Sequence, residues 1–182
     1  IRTPARHYIG GAFRAPATGA ELSVIDPSDG KPFASIARGD APDVDAAVRA
    51  ARAAFDGAWG KFAPVEKGRR LMALSRAILD HADELAWIEA RDCGKPMKQA
   101  RADAAACARY FEFYAGAPDK LHGDTIPYTP GYTVLTWREP HGVTGHIIPW
   151  NYPMQIFGRS VGGALAAGNV CVVKPSEDAC LS

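Results

Sequence analysis

The sequence predicts an α/β protein whose C-terminal part begins a doubly wound parallel sheet. Val143–Ile148 and Val170–Val173 are nearly continuous apolar runs, as expected of strands buried on both faces. The segment between them, Met154–Ala167, has the length of a helix, with glycines that allow a close approach to the sheet. A strand-helix-strand crossover of this kind makes the two strands parallel.

Short β-prone runs and then an amphipathic helix occupy the beginning of the chain. Gly10 and Gly11 lie between two such runs and predict a two-residue hairpin, because both turn positions can take φ > 0. Asp40 then predicts a helix N-cap, followed by apolar residues at helical spacing from Val44 to Phe55.

Two further helices are predicted next. Leucine and isoleucine recur at helical spacing after Pro64, until Gly94 and Pro96 end the pattern. The alanine-rich stretch from Met97 to Tyr114 forms the third helix, which Gly116 ends. We expect the three helices to form a layer.

The segment from Thr125 to Glu139 predicts a long β-hairpin. It is rich in β-branched and aromatic residues, and Pro130-Gly131 supplies a turn. A projecting hairpin has an unpaired edge that needs protective charges or a strand of another subunit. A structural arm and an oligomer contact are both consistent with this pattern.

Composition excludes several classes of partner. The chain has 21 Lys+Arg against 20 Asp+Glu, so no basic face for nucleic acid is implied. No apolar run approaches the roughly 20 residues of a membrane-spanning helix, so we expect no membrane contact. The four cysteines lack metal-ligand spacing, which favours reduced thiols in the cytoplasm and no metal. The chain opens on Ile1 and stops at Ser182 without a terminal signal, which we interpret as cut ends.

Asn151 follows the first predicted strand. In a parallel unit Asn151 and Lys174 fall at the same, C-terminal end of the sheet, where ligands bind in doubly wound folds. A side-chain amide there can stabilise the negative charge that develops on a carbonyl oxygen under nucleophilic attack. The alternative is that Asn151 simply caps the helix that begins near Pro153.

Lys174 and Glu177 follow the second strand and suit a hydroxyl-rich ligand. An ammonium donates to ribose oxygens, and a carboxylate accepts from ribose hydroxyls. The carboxylate also repels a phosphate on the ribose, which favours NAD over NADP. The alternative is a surface ion pair. The glycines from Gly158 to Gly163 lie inside the predicted helix and cannot form the usual G-x-G-x-x-G phosphate loop, and the five scattered histidines receive no catalytic role.

The segment Glu139–Pro153 resembles the first nucleotide-binding strand of the aldehyde dehydrogenase superfamily and the motif that ends it. Ala164–Asn169 and Lys174–Glu177 follow at the family's spacing, and Gly94–Pro96 is also similar to that family. The resemblance covers essentially the whole chain. It implies the N-terminal part of the aldehyde dehydrogenase fold.

Three regions follow from this resemblance. Residues 1–123 would form N-terminal strands and the helical layer of the cofactor-binding domain, 124–140 the oligomerisation hairpin, and 141–182 an incomplete first strand-helix-strand unit of the nucleotide-binding sheet. The hairpin implies a homo-oligomer.

The resemblance also implies roles for individual residues. Asn151 would be the oxyanion-hole amide. The implied cofactor-binding residues are Ile147, Ile148, Pro149, Trp150, Lys174, Ser176 and Glu177, of which Lys174 and Glu177 would hold the adenosine ribose. The cofactor would be NAD, with NADP also compatible.

The family oxidises an aldehyde through a cysteine thiohemiacetal, hydride transfer to the nicotinamide, and thioester hydrolysis assisted by a glutamate. None of the four cysteines matches the nucleophile, which in the family comes later than Ser182. We therefore expect the parent protein to convert an aldehyde to a carboxylic acid and this chain alone to be inactive. The alternatives are a noncatalytic fragment that acts only through oligomeric interaction, and another oxidoreductase, which the missing glycine fingerprint disfavours.

Overall fold

The computed structural model describes residues 5–182, so residues 1–4 of the predicted first region lie outside it. The described chain opens with an antiparallel hairpin of β1 (His7–Ile9) and β2 (Ala12–Arg14). Gly10 and Gly11 have φ of 62° and 79°, which confirms the predicted turn. A second antiparallel pair follows, β3 (Glu21–Ile25) with β4 (Pro32–Ala37).

Helices occupy the middle of the chain. Their bounds are α1 (Ala41–Asp56), α2 (Ala58–Lys61), α3 (Pro64–Asp80), α4 (Ala82–Cys93) and α5 (Met97–Ala115), and a 3₁₀ turn follows at Pro118–Lys120. Asp40 caps α1 as predicted, within a capping box that Asp43 completes. The prediction of one helix after Pro64 is wrong, because the chain breaks at His81, and the two resulting helices both pack against α5.

The main core lies between α3, α5 and α6 (Pro153–Ala166). Its buried members are Leu71, Ile78, Ala104, Cys107, Ala108, Phe111, Met154, Val161 and Ala166. A Cβ on Gly158 would lie 3.1 Å from the Cys107 carbonyl oxygen, and one on Gly162 would lie 2.8 Å from Tyr114 Cδ2. The glycines of α6 therefore allow a close approach to α5, not to the sheet as predicted.

The segment around the predicted hairpin has little regular secondary structure. Only β5 (Thr125–Ile126) and β6 (Val134–Leu135) pair, in antiparallel register, so the hairpin is much shorter than predicted. Tyr132 and Trp137 are 72% and 80% exposed. The segment has no buried face that packs against other elements, and a two-stranded hairpin without such packing is only marginally stable, so the strands stay short.

β7 (Val143–Ile148) and β8 (Val170–Pro175) form the predicted parallel pair, in a register that places Ile147 opposite Lys174. His146 and Ile148 face α6 and are buried, whereas Ile147 is 83% exposed. The prediction that this strand is buried on both faces is therefore wrong for β7. Among residues 5–182, no helix is long and apolar enough to span a membrane.

Candidate active site

Asn151 lies between the end of β7 and the start of α6, on the exposed surface. The N-cap position of α6 belongs to Tyr152, and no side chain caps the helix there. Within the described part of the chain, the Asn151 side-chain amide has no hydrogen-bond partner. The structure therefore does not support the helix-cap alternative, and the amide N–H groups are free to meet a ligand.

The backbone that carries Asn151 is held by the junction between α4 and α5. Lys95 Nζ donates to the Asn151 carbonyl oxygen at 3.3 Å and lies 4.9 Å from the centroid of the Tyr152 ring. The Cys93 thiol donates to the Trp150 carbonyl oxygen, with 3.4 Å between sulfur and oxygen. Two consecutive carbonyl groups of the loop are thus bonded to residues distant in the sequence.

Two carboxyl groups without solvent exposure hold the Lys95 ammonium. Its Nζ lies 2.5 Å from Glu89 Oε1 and 2.8 Å from Asp103 Oδ2. Asp103 Oδ1 accepts two further hydrogen bonds, from Gln99 Nε2 at 2.6 Å and from Gln155 Nε2 at 2.7 Å. We call Lys95, Glu89 and Asp103 the buried ion cluster. It connects α4, α5 and the first turn of α6.

The pKa values of the two carboxyl groups of the buried ion cluster are shifted in opposite directions. Burial raises the pKa of Glu89, and the nearby Lys95 only partly offsets this. Burial also opposes ionisation of Asp103, but hydrogen bonds from Lys95, Gln155 and Gln99 outweigh it and lower the Asp103 pKa. For Lys95, burial favours the neutral amine, yet the bonds to Asp103 and Glu89 raise its pKa. Lys95 and Asp103 are therefore charged, and Glu89 takes a proton most readily.

A second charged pair lies at the end of β8. Lys174 Nζ is 2.7 Å from Glu177 Oε2, and these side chains are 62% and 60% exposed. The hydrogen bond from Lys174 lowers the pKa of Glu177, which keeps the carboxylate ionised. We call Lys174 and Glu177 the exposed pair. The β7–β8 register places it beside the exposed side chain of Ile147.

The other predicted cofactor-binding residues differ in accessibility. Pro149 and Trp150 are exposed in the loop that follows β7. Ile148 is buried, so only its backbone can face a ligand. The Ser176 hydroxyl oxygen accepts from the Asp178 backbone N–H in the turn after β8.

The four cysteines are free thiols. Burial raises the pKa of Cys93, Cys107 and Cys180 to about 12 and also raises that of Cys171. A thiol that stays protonated at neutral pH is a weak nucleophile. Over residues 5–182, no group of three or more His, Cys, Asp or Glu side chains could hold a metal ion.

The buried ion cluster was not predicted from the sequence, although one signal for it is present there. Asp103 interrupts an otherwise small and apolar stripe of α5, at helical spacing from Ala100, Ala104 and Cys107. An acid on the buried face of a helix requires a partner, because burying an unpaired charge is costly. Lys95, the nearest basic residue upstream of α5, was the available candidate.

A hydrogen-bonded histidine on the α6 face of β7 was also not predicted from the sequence. His146 Nδ1 lies 2.6 Å from Ser160 Oγ, and Nε2 lies 2.9 Å from Thr144 Oγ1. Burial lowers the pKa of His146, which favours the neutral imidazole. His146 lies in β7 and Ser160 in α6. Because their contact depends on how α6 packs against β7, no short-range sequence pattern predicts it.

Comparison with known proteins identifies the family. The sequence pattern of the aldehyde dehydrogenase family matches residues 13–182. The chain is 45% identical to the mitochondrial aldehyde dehydrogenase family 2 member B4 of Arabidopsis thaliana, over 93% of this chain and 32% of that protein.

Two solved structures are similar in fold. A Burkholderia cenocepacia protein provisionally named an aldehyde dehydrogenase has a TM-score of 0.96 and 70% identity, covering 97% of this chain and 37% of that one. The NAD+ complex of an aldehyde dehydrogenase from Bacillus cereus has a TM-score of 0.91 and 35% identity, covering 94% and 35%. This chain spans about a third of the length of these proteins. It belongs to the aldehyde dehydrogenase family.

Proposed function

We propose that this chain is the N-terminal part of an NAD(P)-dependent aldehyde dehydrogenase that converts an aldehyde to a carboxylic acid. The observation that carries the proposal is the exposed, unbonded amide of Asn151 at the C-terminal end of β7, in a chain of this family. That amide can donate to the aldehyde oxygen as it becomes an oxyanion. The nucleophile and the general base come from sequence that follows in the family.

The cofactor-binding residues we propose are at the same end of the sheet. The exposed pair supplies an ammonium donor and a carboxylate acceptor, which fit the hydroxyl groups of a ribose. Ile147, Pro149 and Trp150 supply exposed apolar surface beside it, the Ile148 backbone completes this wall, and Ser176 begins the adjoining turn. The bound nicotinamide would accept the hydride. The ionised Glu177 repels a phosphate on the ribose, which supports NAD more than NADP.

We also propose a homo-oligomer that forms through the β5–β6 segment. Its exposed aromatic side chains, Tyr132 and Trp137, support this, because an exposed strand edge with apolar residues favours pairing. The free thiols fit a reducing compartment, and we place the enzyme in the cytoplasm.

The first test is the intact mass of the protein in its native source. These residues account for 19.4 kDa, and the proposal expects about three times that mass because the chain spans 32% of a relative. A mass of 19.4 kDa, with a stable oligomer that binds no nucleotide, would instead support the noncatalytic fragment.

The second test is NAD reduction by the full-length protein with a panel of aldehydes. Asn151→Ala should lower kcat by about 10²–10³-fold, while the affinity for NAD stays unchanged. An Asn151→Ala variant with the kcat of the unmodified enzyme would contradict the assigned role of this amide.

A further inference from the structure

The orientation of the Asn151 amide depends on the backbone that carries it. The side chain is exposed and, in residues 5–182, bonds to no other group, so no side-chain contact fixes its direction. An oxyanion donor must be held within a fraction of an ångström of its productive position. Its backbone therefore has to be fixed by other residues.

Lys95 supplies such a contact. An ammonium has three N–H groups, and those of Lys95 have three acceptors: Glu89 Oε1, Asp103 Oδ2 and the Asn151 carbonyl oxygen. The Lys95 side chain is only 11% exposed. With every donor used and little water nearby, its ammonium has one favoured position, which fixes the Asn151 carbonyl group.

Asp103 holds the other side of the same loop. Its Oδ2 bonds Lys95, and its Oδ1 bonds Gln155 in the first turn of α6. One buried carboxylate thus holds the chain at Gln155 directly and at Asn151 through Lys95. The Cys93 contact to the Trp150 carbonyl oxygen adds a third point of attachment.

We propose that Lys95, held by Glu89 and Asp103, is a positioning residue that fixes the Asn151 amide for oxyanion binding. It acts through the Asn151 backbone and does not itself touch the substrate. The inference rests on the proposed function of Asn151.

A double-mutant cycle in the full-length enzyme tests this. Lys95→Met keeps an unbranched side chain that is one heavy atom shorter and removes its three donors, and it should lower kcat by tenfold or more with little change in the KM for NAD. In an Asn151→Ala background, the same Lys95→Met change should lower kcat by less than twofold, because the amide it positions is already absent. The matched control is Lys98→Met, an exposed lysine of the same helix region, which should leave kcat unchanged.

Lys95→Met leaves buried carboxyl groups without their cation and can prevent folding. The variant Lys95→Met/Asp103→Asn removes the unpaired negative charge as well, and it should fold while showing the same loss of kcat. Its loss of kcat should likewise vanish in the Asn151→Ala background.

The possible outcomes separate the two proposals. If Lys95→Met or the double variant keeps full kcat while Asn151→Ala does not, the positioning role is wrong. If the losses from Lys95 and Asn151 multiply, Lys95 acts independently of the amide, and the positioning role is again wrong. If Asn151→Ala alone keeps full kcat, it is the proposed function of Asn151 that fails.

Discussion

The buried ion cluster and the exposed pair lie near the same end of the β7–β8 unit, and each combines a lysine with a carboxylate. Lys174 and Glu177 are each about 60% exposed, whereas Asp103 has no exposed surface and the Lys95 side chain is 11% exposed. In the exposed pair, Lys174 Nζ contacts one acceptor, Glu177 Oε2, at 2.7 Å, whereas in the described residues Lys95 Nζ contacts three acceptors. The same two kinds of charged group are therefore solvent-exposed in the exposed pair and buried in the buried ion cluster.

This difference teaches what each group can do. Water screens the exposed pair, so its ion pair contributes little to stability and either partner can rotate toward a ligand. The buried ion cluster has no water to replace a lost partner, so breaking it leaves an uncompensated buried charge. The first arrangement suits ligand binding, and the second suits fixing a backbone.

Removing Lys95 should have the largest effect on stability. Lys95→Met in the full-length protein should lower the free energy of unfolding by about 3 kcal/mol, because it leaves the Asp103 carboxylate buried and unpaired. Chemical denaturation measures this loss. The exposed Lys98→Met change serves as the control, and a Lys95→Met protein as stable as this control would show that Lys95 does not stabilise the fold by pairing with Asp103.

Asp103→Asn should have the next largest effect. The amide keeps the size of the side chain but weakens the charge-assisted bonds from Lys95, Gln99 and Gln155, at a cost of about 2 kcal/mol. The matched control is Asp83→Asn, whose side chain is 84% exposed in its pair with Arg101. Equal unfolding midpoints for the two variants would contradict the expectation that the buried carboxylate stabilises the fold more than the exposed one.

Glu89→Gln should change how stability depends on pH. Burial raises the pKa of Glu89 above its ordinary value of 4.5, so the folded protein holds this proton where the unfolded chain has lost it. The free energy of unfolding should therefore fall as pH rises from 4.5 through the folded pKa. Glu89→Gln stays neutral and should remove this slope.

The control for this pH dependence is Glu84→Gln, an exposed glutamate of the same helix whose side chain is 70% exposed. Unfolding curves of the three proteins across this pH range test the prediction. A difference between Glu89→Gln and the unmodified protein that does not vary with pH would rule out a raised pKa at Glu89.

Glu177→Gln should have the smallest effect on stability, with no measurable change in the unfolding midpoint, because both partners of the exposed pair are well solvated. On the proposed function, it should instead raise the KM for NAD about tenfold, the effect of one lost hydrogen bond to the ribose. It should also narrow the preference for NAD over NADP. Steady-state kinetics with each cofactor would check both effects. An unchanged KM for NAD would show that Glu177 does not contribute to NAD binding.

Local sequence patterns were sufficient to predict the strand-helix-strand unit and the N-cap of α1. The apolar runs of β7 and β8, with a helix between them, predicted a parallel pair, which the structure confirms. Asp40 predicted the start of α1 because an N-cap bonds to groups only a few residues away. The long hairpin and the undivided helix after Pro64 were wrong, because the extent of strand pairing and the break at His81 depend on packing with other elements.

The sequence by itself determined the family and the positions of Asn151, Lys174 and Glu177 at one end of the sheet, because these depend on motifs and on strand direction. The tertiary structure alone decided which groups meet beneath Asn151. Glu89, Lys95 and Asp103 come from α4, the α4–α5 junction and α5, and Gln155 comes from α6. Their contacts depend on how closely α5 packs against α4 and α6, which no short-range pattern encodes.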